Sequence, residues 1–246
     1  MKIKFDRPLI DGLILSRPNR FIFNVQIGDQ IVEAHCPSGG TIAGLSRKNM
    51  QNLKCYLSDH GENTGRRTRY TVEAISLDDG VSYMGINQTR SNRYVEQFLT
   101  DARVREILSI SDQITREKKL RSSRIDFKVD DCYIEVKTMV AEYYCKPSDD
   151  LAKLMKVGTP SIDRMQKHIN DLAAEIEEFS ARAAVITVFQ YDAPTFKPPV
   201  DLDIYQDFVN DLRVARSKGL RQYQMNIRIT KEYAELISFF ENETVE

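Results

Sequence analysis

Arg124-Ile125-Asp126-Phe127-Lys128-Val129-Asp130-Asp131-Cys132-Tyr133-Ile134-Glu135-Val136-Lys137 alternates apolar and polar side chains on both sides of an Asp-Asp step. Successive side chains of an extended chain point to opposite faces, so the pattern predicts two strands joined by a two-residue turn. With Asp130-Asp131 as the turn, 129 faces 132 and each outward step adds one residue to both arms, setting Asp126 across from Glu135. Arg124, Asp126 and Lys128 then share a face with Tyr133, Glu135 and Lys137. Ile125, Phe127, Val129, Cys132, Ile134 and Val136 make the other face almost wholly apolar. One side packs on a core, and the other presents two carboxylates beside lysines.

Cross-strand neighbours lie about 5 Å apart at Cβ, so two ionised carboxylates there repel unless something positive stands between them. A hard divalent cation with oxygen ligands is one solution. Mg²⁺ or Mn²⁺ held by Asp126 and Glu135 could polarise a phosphodiester and acidify a bound water, with Lys137 on the same face to position that water or offset developing charge. Any amphipathic hairpin with a solvated face carries similar residues, however, and these can form cross-strand ion pairs of little energetic consequence. Spacing alone tilts toward that second reading.

Upstream of the hairpin the chain is β-rich. Phe21, Phe23, Val25 and Ile27 alternate with polar neighbours, Gly28-Asp29 suits a turn, and Gln30 to His35 returns as a second strand. The alternation turns Phe21 and Phe23 inward and Arg20 outward. Lys54 to Ser58, Arg69 to Ile75 and Ser82 to Ile86 read as three more short strands, so residues 1–84 predict a small barrel or sandwich. From about residue 85 the pattern is mixed. Ser91 or Asn92 caps a helix bearing Val95, Phe98, Leu99, Ala102 and Leu108, a strand pair occupies 114–139, and a helix spans 161–179. The apolar run 183–189 suits a buried strand. A helix at 203–217, a strand at 220–229 and a last helix at 231–240 follow, making residues 85–246 an α/β layer.

Lys plus Arg (35) and Asp plus Glu (36) nearly cancel, so any nucleic-acid footprint is local rather than global. Cys36, Cys55, Cys132 and Cys145 show neither zinc-site nor disulfide-framework spacing. Asp6 and Asp11 interrupt the opening apolar pattern and no stretch approaches a membrane span, which reads as a cytoplasmic protein with no membrane partner. No P-loop, Ser/His/Asp set or dinucleotide fingerprint stands out.

R-F-x-x-x-V at Arg20 to Val25, A-H-C-P at Ala34 to Pro37, S-R-I-D-F at Ser123 to Phe127, E-V-K at Glu135 to Lys137 and Q-K-H at Gln166 to His168 together resemble the sugar fermentation stimulation protein A family, in the same order over most of the chain. The resemblance implies an amino-terminal OB-like barrel that binds nucleic acid and a carboxy-terminal PD-(D/E)XK nuclease-like α/β domain. It also implies metal-dependent cleavage of DNA or RNA, or else non-specific, regulatory DNA binding around a weak or vestigial site. Asp126, Glu135 and Lys137 match the family's D…E-x-K signature. Glu117 resembles a family Glu, and Glu96 resembles an acidic residue on the first helix of the nuclease domain, a further candidate metal ligand. Arg164, Gln166, Lys167 and His168 match part of a later helix motif. The sequence departs from the family at Val157-Gly158-Thr159, where F-P-D is usual, at Met165 in place of Gly, and at Ser38 in place of Asn.

Each candidate has an ordinary alternative. Glu96 can be a metal ligand or a solvated helix residue. Arg164, Lys167 and His168, at i, i+3 and i+4, can share a helix face and make a phosphate-facing edge, although a core or surface histidine is commoner. Arg124 lies on the carboxylate face of the hairpin as a supporting group. Arg66, Arg67 and Arg69, followed by Tyr70, form a basic loop suited to backbone contact and stacking, while Arg20 and His35 enter as nucleic-acid contacts through the family match alone. A third functional reading is a protein-binding adaptor. Oligomeric state is not encoded in these patterns.

Overall fold

The computed structural model describes residues 1–62, 65–111, 113–156, 163–197 and 206–242. In its first half, Gly28 takes the left-handed conformation that glycine adopts at little cost (φ 57°) and turns β3 (Ile22–Ile27) into β4 (Gln30–His35). Together with β2 (Ile10–Asn19), β5 (Leu53–Asp59) and β6 (Tyr70–Ile75) they form a sheet in the order β4-β3-β2-β5-β6. A parallel pairing of β4 with β6 through Ala34–Tyr70 and His35–Thr71 closes it into the expected OB-like barrel. Ile14, Phe23, Val25, Leu57 and Val72 fill its interior. The strand expected over 82–86 contracts to β7 (Met84–Gly85), paired with β6.

Phe21 departs from the inward reading. It lies in the turn before β3, where its amide donates to Asn19 Oδ1 (2.8 Å), and its ring is 47% exposed. Alternation holds only inside the strand, so Phe23 enters the core and Phe21 does not.

The second half, with β1 from the first residues added at one edge, builds a seven-stranded sheet in the order β1-β13-β12-β11-β10-β9-β8. Its strands are β1 (Lys2–Lys4), β8 (Thr115–Leu120), β9 (Ser123–Val129), β10 (Cys132–Thr138), β11 (Arg182–Phe189), β12 (Arg221–Ile229) and β13 (Tyr233–Glu241). β10, β11 and β12 run parallel and the flanking pairs antiparallel. The central strands are covered on both faces, the arrangement that parallel strands require. On one side α1 (Gln88–Phe98) and α2 (Ala102–Leu108) pack Val95, Phe98 and Val104 against Ile134, Ile186 and Met225. On the other, α4 (Asp163–Phe179) and α5 (Gln206–Ser217) pack Ile169, Leu172 and Leu212 against Tyr133 and Val185. A short α3 (Asp149–Ala152) precedes α4 in the chain and packs Leu151 against the barrel core.

Three elements differ from expectation. The single helix predicted after residue 91 is two, because Asp101 accepts from the Arg103 amide (3.0 Å) and starts a second helix; the first is capped by Asn87, not Ser91 or Asn92. The strand pair of 114–139 is three strands, since Arg121, at φ 49°, makes an extra turn between β8 and β9. The last predicted helix is β13: Ala234 and Leu236 are buried at a spacing of two, and the strand is held by β12 on one side and β1 on the other. Ladder pairing on both edges outweighs the helix preference of Glu, Ala and Leu. The departures at Val157-Gly158-Thr159, the first residues expected in the helices at 161 and 203, and the acidic end beyond 242 lie outside the described residues.

The barrel and the α/β layer share a core. Val140, Phe189 and Tyr191 pack with the barrel interior, and the Gly85 amide donates to Gln190 O (2.8 Å) at a place where an added Cβ would stand 2.6 Å from the Gln190 side chain. That seam fixes where α1 begins, and hence where its polar side chains point. Among the described residues no helix is long and apolar enough to cross a membrane.

Candidate functional site

The predicted register is present: Val129 faces Cys132, Lys128 faces Tyr133 and Phe127 faces Ile134. The ladder then stops. In a regular continuation the Val136 amide would donate to a β9 carbonyl; instead it donates to Asp126 Oδ2 (2.8 Å), while Asn92 Nδ2 on α1 donates to Oδ1 (2.8 Å). On the far side of β9, Glu117, which the β8 register sets against Asp126, adopts a left-handed backbone (φ 50°). Beyond the break Ile125 joins the core under α4 and α5, whereas Phe127 and Val129 stay in the core under α1. β9 and β10 therefore part at this level, while β8 and β9 keep one register on both sides of it, and Asp126 bridges the gap through its carboxylate.

Glu135 does not face solvent. Its side of β10 lies beneath α4, leaving the residue 6% exposed, and His168 of α4, 5% exposed, sits with Nδ1 2.6 Å from Glu135 Oε1. An ionised carboxylate only accepts, so the ring N–H is the donor. The second oxygen, Oε2, is buried with no hydrogen-bond partner, a costly state for an anionic atom unless a positive group completes it. Burial, followed by the charge of Glu135, pushes the Asp126 carboxyl up to about 6, against the opposing pull of the Val136 amide, Asn92 and His168. Burial first, then Arg164, lowers the Lys137 ammonium below its ordinary range, with Glu135 and Asp126 acting the other way. A carboxylate pair, Glu135 buried with one orphaned oxygen and Asp126 half-buried, beside a half-buried lysine is the donor set a hard cation would complete. Among the described residues no three of His, Cys, Asp and Glu draw together as a metal cage, so the protein would supply two ligands and leave the other positions open.

The remaining candidates divide. Glu96, expected as a third ligand, is instead held in a two-pronged ion pair by Arg116 of β8; Asn92, one turn earlier on α1, is the residue that reaches Asp126. Glu117 and Arg124 pair with each other at the surface (2.9 Å) instead of supporting the carboxylates. Gln166 donates to Asp211 on α5 (2.7 Å) and ties helix to helix, whereas Lys167 donates to the Ser122 carbonyl in the β8–β9 turn (3.1 Å) and ties helix to sheet. Arg164, in the first turn of α4, is exposed and close enough for its charge to bear on Lys137. Arg69 is committed to Asp59 through two hydrogen bonds (2.8 and 2.7 Å) and to Glu62 (3.1 Å), and this pairing holds the Asp59 carboxyl down at about 2. Of the basic loop, only Arg66 and Arg67 turn toward the concave surface beside His35.

Two cations on α1 were not singled out in the sequence. Arg90 and Arg93, at i and i+3, line the cleft between barrel and helix together with His60. Arg90 also pairs with Glu73 (3.3 Å), a buried barrel carboxylate that accepts from Ser58 (2.6 Å) and Asn87 (2.7 Å) as well. The helical spacing of Arg90 and Arg93 and the polar run through Asn92 were the available signal. A single helix thus presents cations to the cleft and an amide to Asp126.

Residues 15–84 match the family described as the SfsA N-terminal OB domain, and residues 89–233 the sugar fermentation stimulation protein RE domain. A sugar fermentation stimulation protein homolog of Bdellovibrio bacteriovorus is 28% identical over 95% of this chain and 96% of its own length. One from Methanosphaera stadtmanae is 31% identical over 88% and 86%. The structure of Pyrococcus furiosus SfsA in complex with Ca²⁺ superposes with a TM-score of 0.70 at 21% identity, covering 98% of both chains, which shows a common fold. With matched segments that run through the barrel and the α/β layer alike, the chain belongs to the sugar fermentation stimulation protein family.

Proposed function

We propose that the protein is a metal-dependent nuclease that hydrolyses phosphodiester bonds in DNA or RNA. The observation that carries this reading is the orphaned, buried Glu135 Oε2 beside Asp126 and Lys137, at the level where β9 and β10 part. Asp126 and Glu135 would hold Mg²⁺ or Mn²⁺, which supplies charge stabilisation at the phosphate and an acidified water. The chain's own groups do the positioning. Asn92 and the Val136 amide fix Asp126, His168 fixes Glu135, and Lys137, drier than a surface lysine, offers a proton donor and a compact charge to the reacting phosphate. The cations along the barrel and α1 would hold the strand. That a solved relative is described in complex with Ca²⁺ is consistent with a divalent site in this fold.

The test is cleavage of end-labelled DNA and RNA by the purified chain with Mg²⁺, with Mn²⁺, and with excess chelator. Cutting that requires the metal and ceases with chelator is expected. Salt-sensitive binding with no cutting under any metal would instead favour a non-specific nucleic-acid-binding protein. Because Asn92 orients a ligand without being one, Asn92→Ala should lower metal affinity about tenfold or somewhat more, in the range seen when outer partners of metal ligands are removed. Metal titration of the cleavage rate reads this directly, and an unchanged midpoint would remove Asn92 from the site.

A further inference from the structure

Three concavities join along one side of the molecule. The first, about 340 Å³, is lined by Arg20, Phe21, His35 and Arg67. It shares His35 with a second of about 500 Å³, which holds Arg66, Thr71 and Glu73, and this one shares His60, Arg90 and Arg93 with a third of about 390 Å³. The track therefore runs from the barrel tip to α1, where Asn92, next to Arg93 in the chain, bonds Asp126. Arg67, Arg66, Arg90 and Arg93 follow one another along it, with Glu73 and Asp59 among the acidic interruptions in its inner part, and at its far end, where Arg20, His35 and Arg67 carry the charge, stands Phe21, which chain alternation would have buried. Phe21 is 47% exposed, backed by Gly39, where an added Cβ would lie 3.5 Å from the ring, and the Arg20 guanidinium sits 4.6 Å from its centroid. An exposed aromatic alone is unremarkable on a protein surface. An exposed aromatic layered with a guanidinium inside a basic concavity is the combination that holds an unpaired base, whose flat face stacks on either plane while the cations follow the phosphates.

We propose that Phe21 and Arg20 form a base-stacking subsite remote from the carboxylates, and that the polymer this protein takes is single-stranded, with a base turned onto the barrel. The inference rests on the nucleic-acid reading above and adds to it the form of the substrate. A duplex keeps its bases in the stack and offers the subsite only phosphates, whereas a single strand engages both the ring and the cations. Phe21 lies outside the barrel core, so its truncation leaves the fold intact.

Fluorescence anisotropy in chelator, at fixed salt and with the whole chain, separates the contributions. The ligands are an ordinary oligonucleotide, its duplex, and an oligonucleotide of equal length that carries no bases. The wild type should bind the single strand several-fold tighter than either of the others. Phe21→Ala should weaken binding of the ordinary strand by about 5- to 150-fold, the worth of one stacked base, leave the base-free strand unchanged, and match the wild type in thermal melting. Phe21→Trp should restore affinity. Equal binding by Phe21→Ala and wild type overturns the subsite, as does an equal loss on the base-free strand or a preference for duplex. Tight binding of none of the three ligands overturns it as well and turns this face toward a protein partner. Because these measurements contain no metal, absence of cleavage in the assay above would overturn the nuclease reading and leave the subsite standing.

Discussion

Lys137→Ala should lower metal-dependent cleavage about 10²–10³-fold, the loss typical of removing one preorganised charge from a dry site, with the effect in kcat and little in KM. Lys137 follows Glu135 by two residues on β10, so both face the opening under α4. It feels both carboxylates as well as Arg164, and its lowered pKa has burial as the leading cause. A group held this way contributes most when charge develops on the phosphate, which is why turnover rather than ground-state affinity carries the cost. The fold should tolerate the change, because the backbone of Lys137 keeps its pairing beside Thr187 on β11 and only a half-buried stem is lost. Glu135→Ala behaves differently: it also leaves His168 buried without its acceptor, so activity and melting temperature fall together. Single-turnover rates at saturating metal, set beside melting curves for both variants, check the contrast. A Lys137→Ala enzyme that cuts at the wild-type rate would sink the assignment of this site.

The hairpin was legible because alternation and an Asp-Asp turn fix a register without reference to anything distant, and 127 to 134 pair as the pattern demands. What alternation could not convey was the other side of the sheet. The polar face through Tyr133 and Glu135 reads as solvated until α4, some thirty residues later in the chain, is laid over it and His168 supplies the partner that makes a buried carboxylate tolerable. The switch of Ile125 from one core to the other has the same origin: β9 gives up its ladder bond at Asp126 in favour of a side-chain one, and parity no longer reports the face. On α1 the acidic residue drew attention as a candidate ligand, yet a helix turn decides which side chain meets a neighbouring strand. Asn92 meets Asp126, and Glu96 is spent on Arg116. Phe21 and β13 failed for the opposite reason, since each was read from a local pattern, one as strand and one as helix, that ended at a boundary only the tertiary pairing defines.

The raised pKa of Asp126 gives the site a pH dependence whose direction can be worked out. Its carboxyl moves from an ordinary 3.8 to about 6 in the folded chain, through burial first and Glu135 second. A carboxyl held above its unfolded value favours the folded state while it keeps its proton. The metal-free protein therefore has this contribution in full below about pH 4 and loses it as pH rises through about 6, a loss of about 3 kcal/mol at 1.36 kcal/mol per unit. His60 runs the other way: burial and the neighbouring Arg66 and Arg90 lower its pKa, so the stability tied to its neutral form is lost as pH falls. Comparison with Asp126→Asn at each pH cancels that second group, and the wild type should lose stability relative to the variant as pH rises from about 5 to about 7. A cation sees the reverse. It needs the ionised pair, so as pH falls below about 6 and the unligated chain comes to hold the proton throughout, its affinity should drop by up to about tenfold per pH unit. The shift in melting temperature on adding Mg²⁺ should accordingly be clear at about pH 7.5, nearly gone at about pH 5, and absent from Asp126→Asn at both. A metal-induced shift of equal size at the two pH values, or one that survives in the variant, would place the cation elsewhere. The site would then be a pair of carboxylates, one buried and one half-buried, that folding tolerates for some purpose other than metal binding.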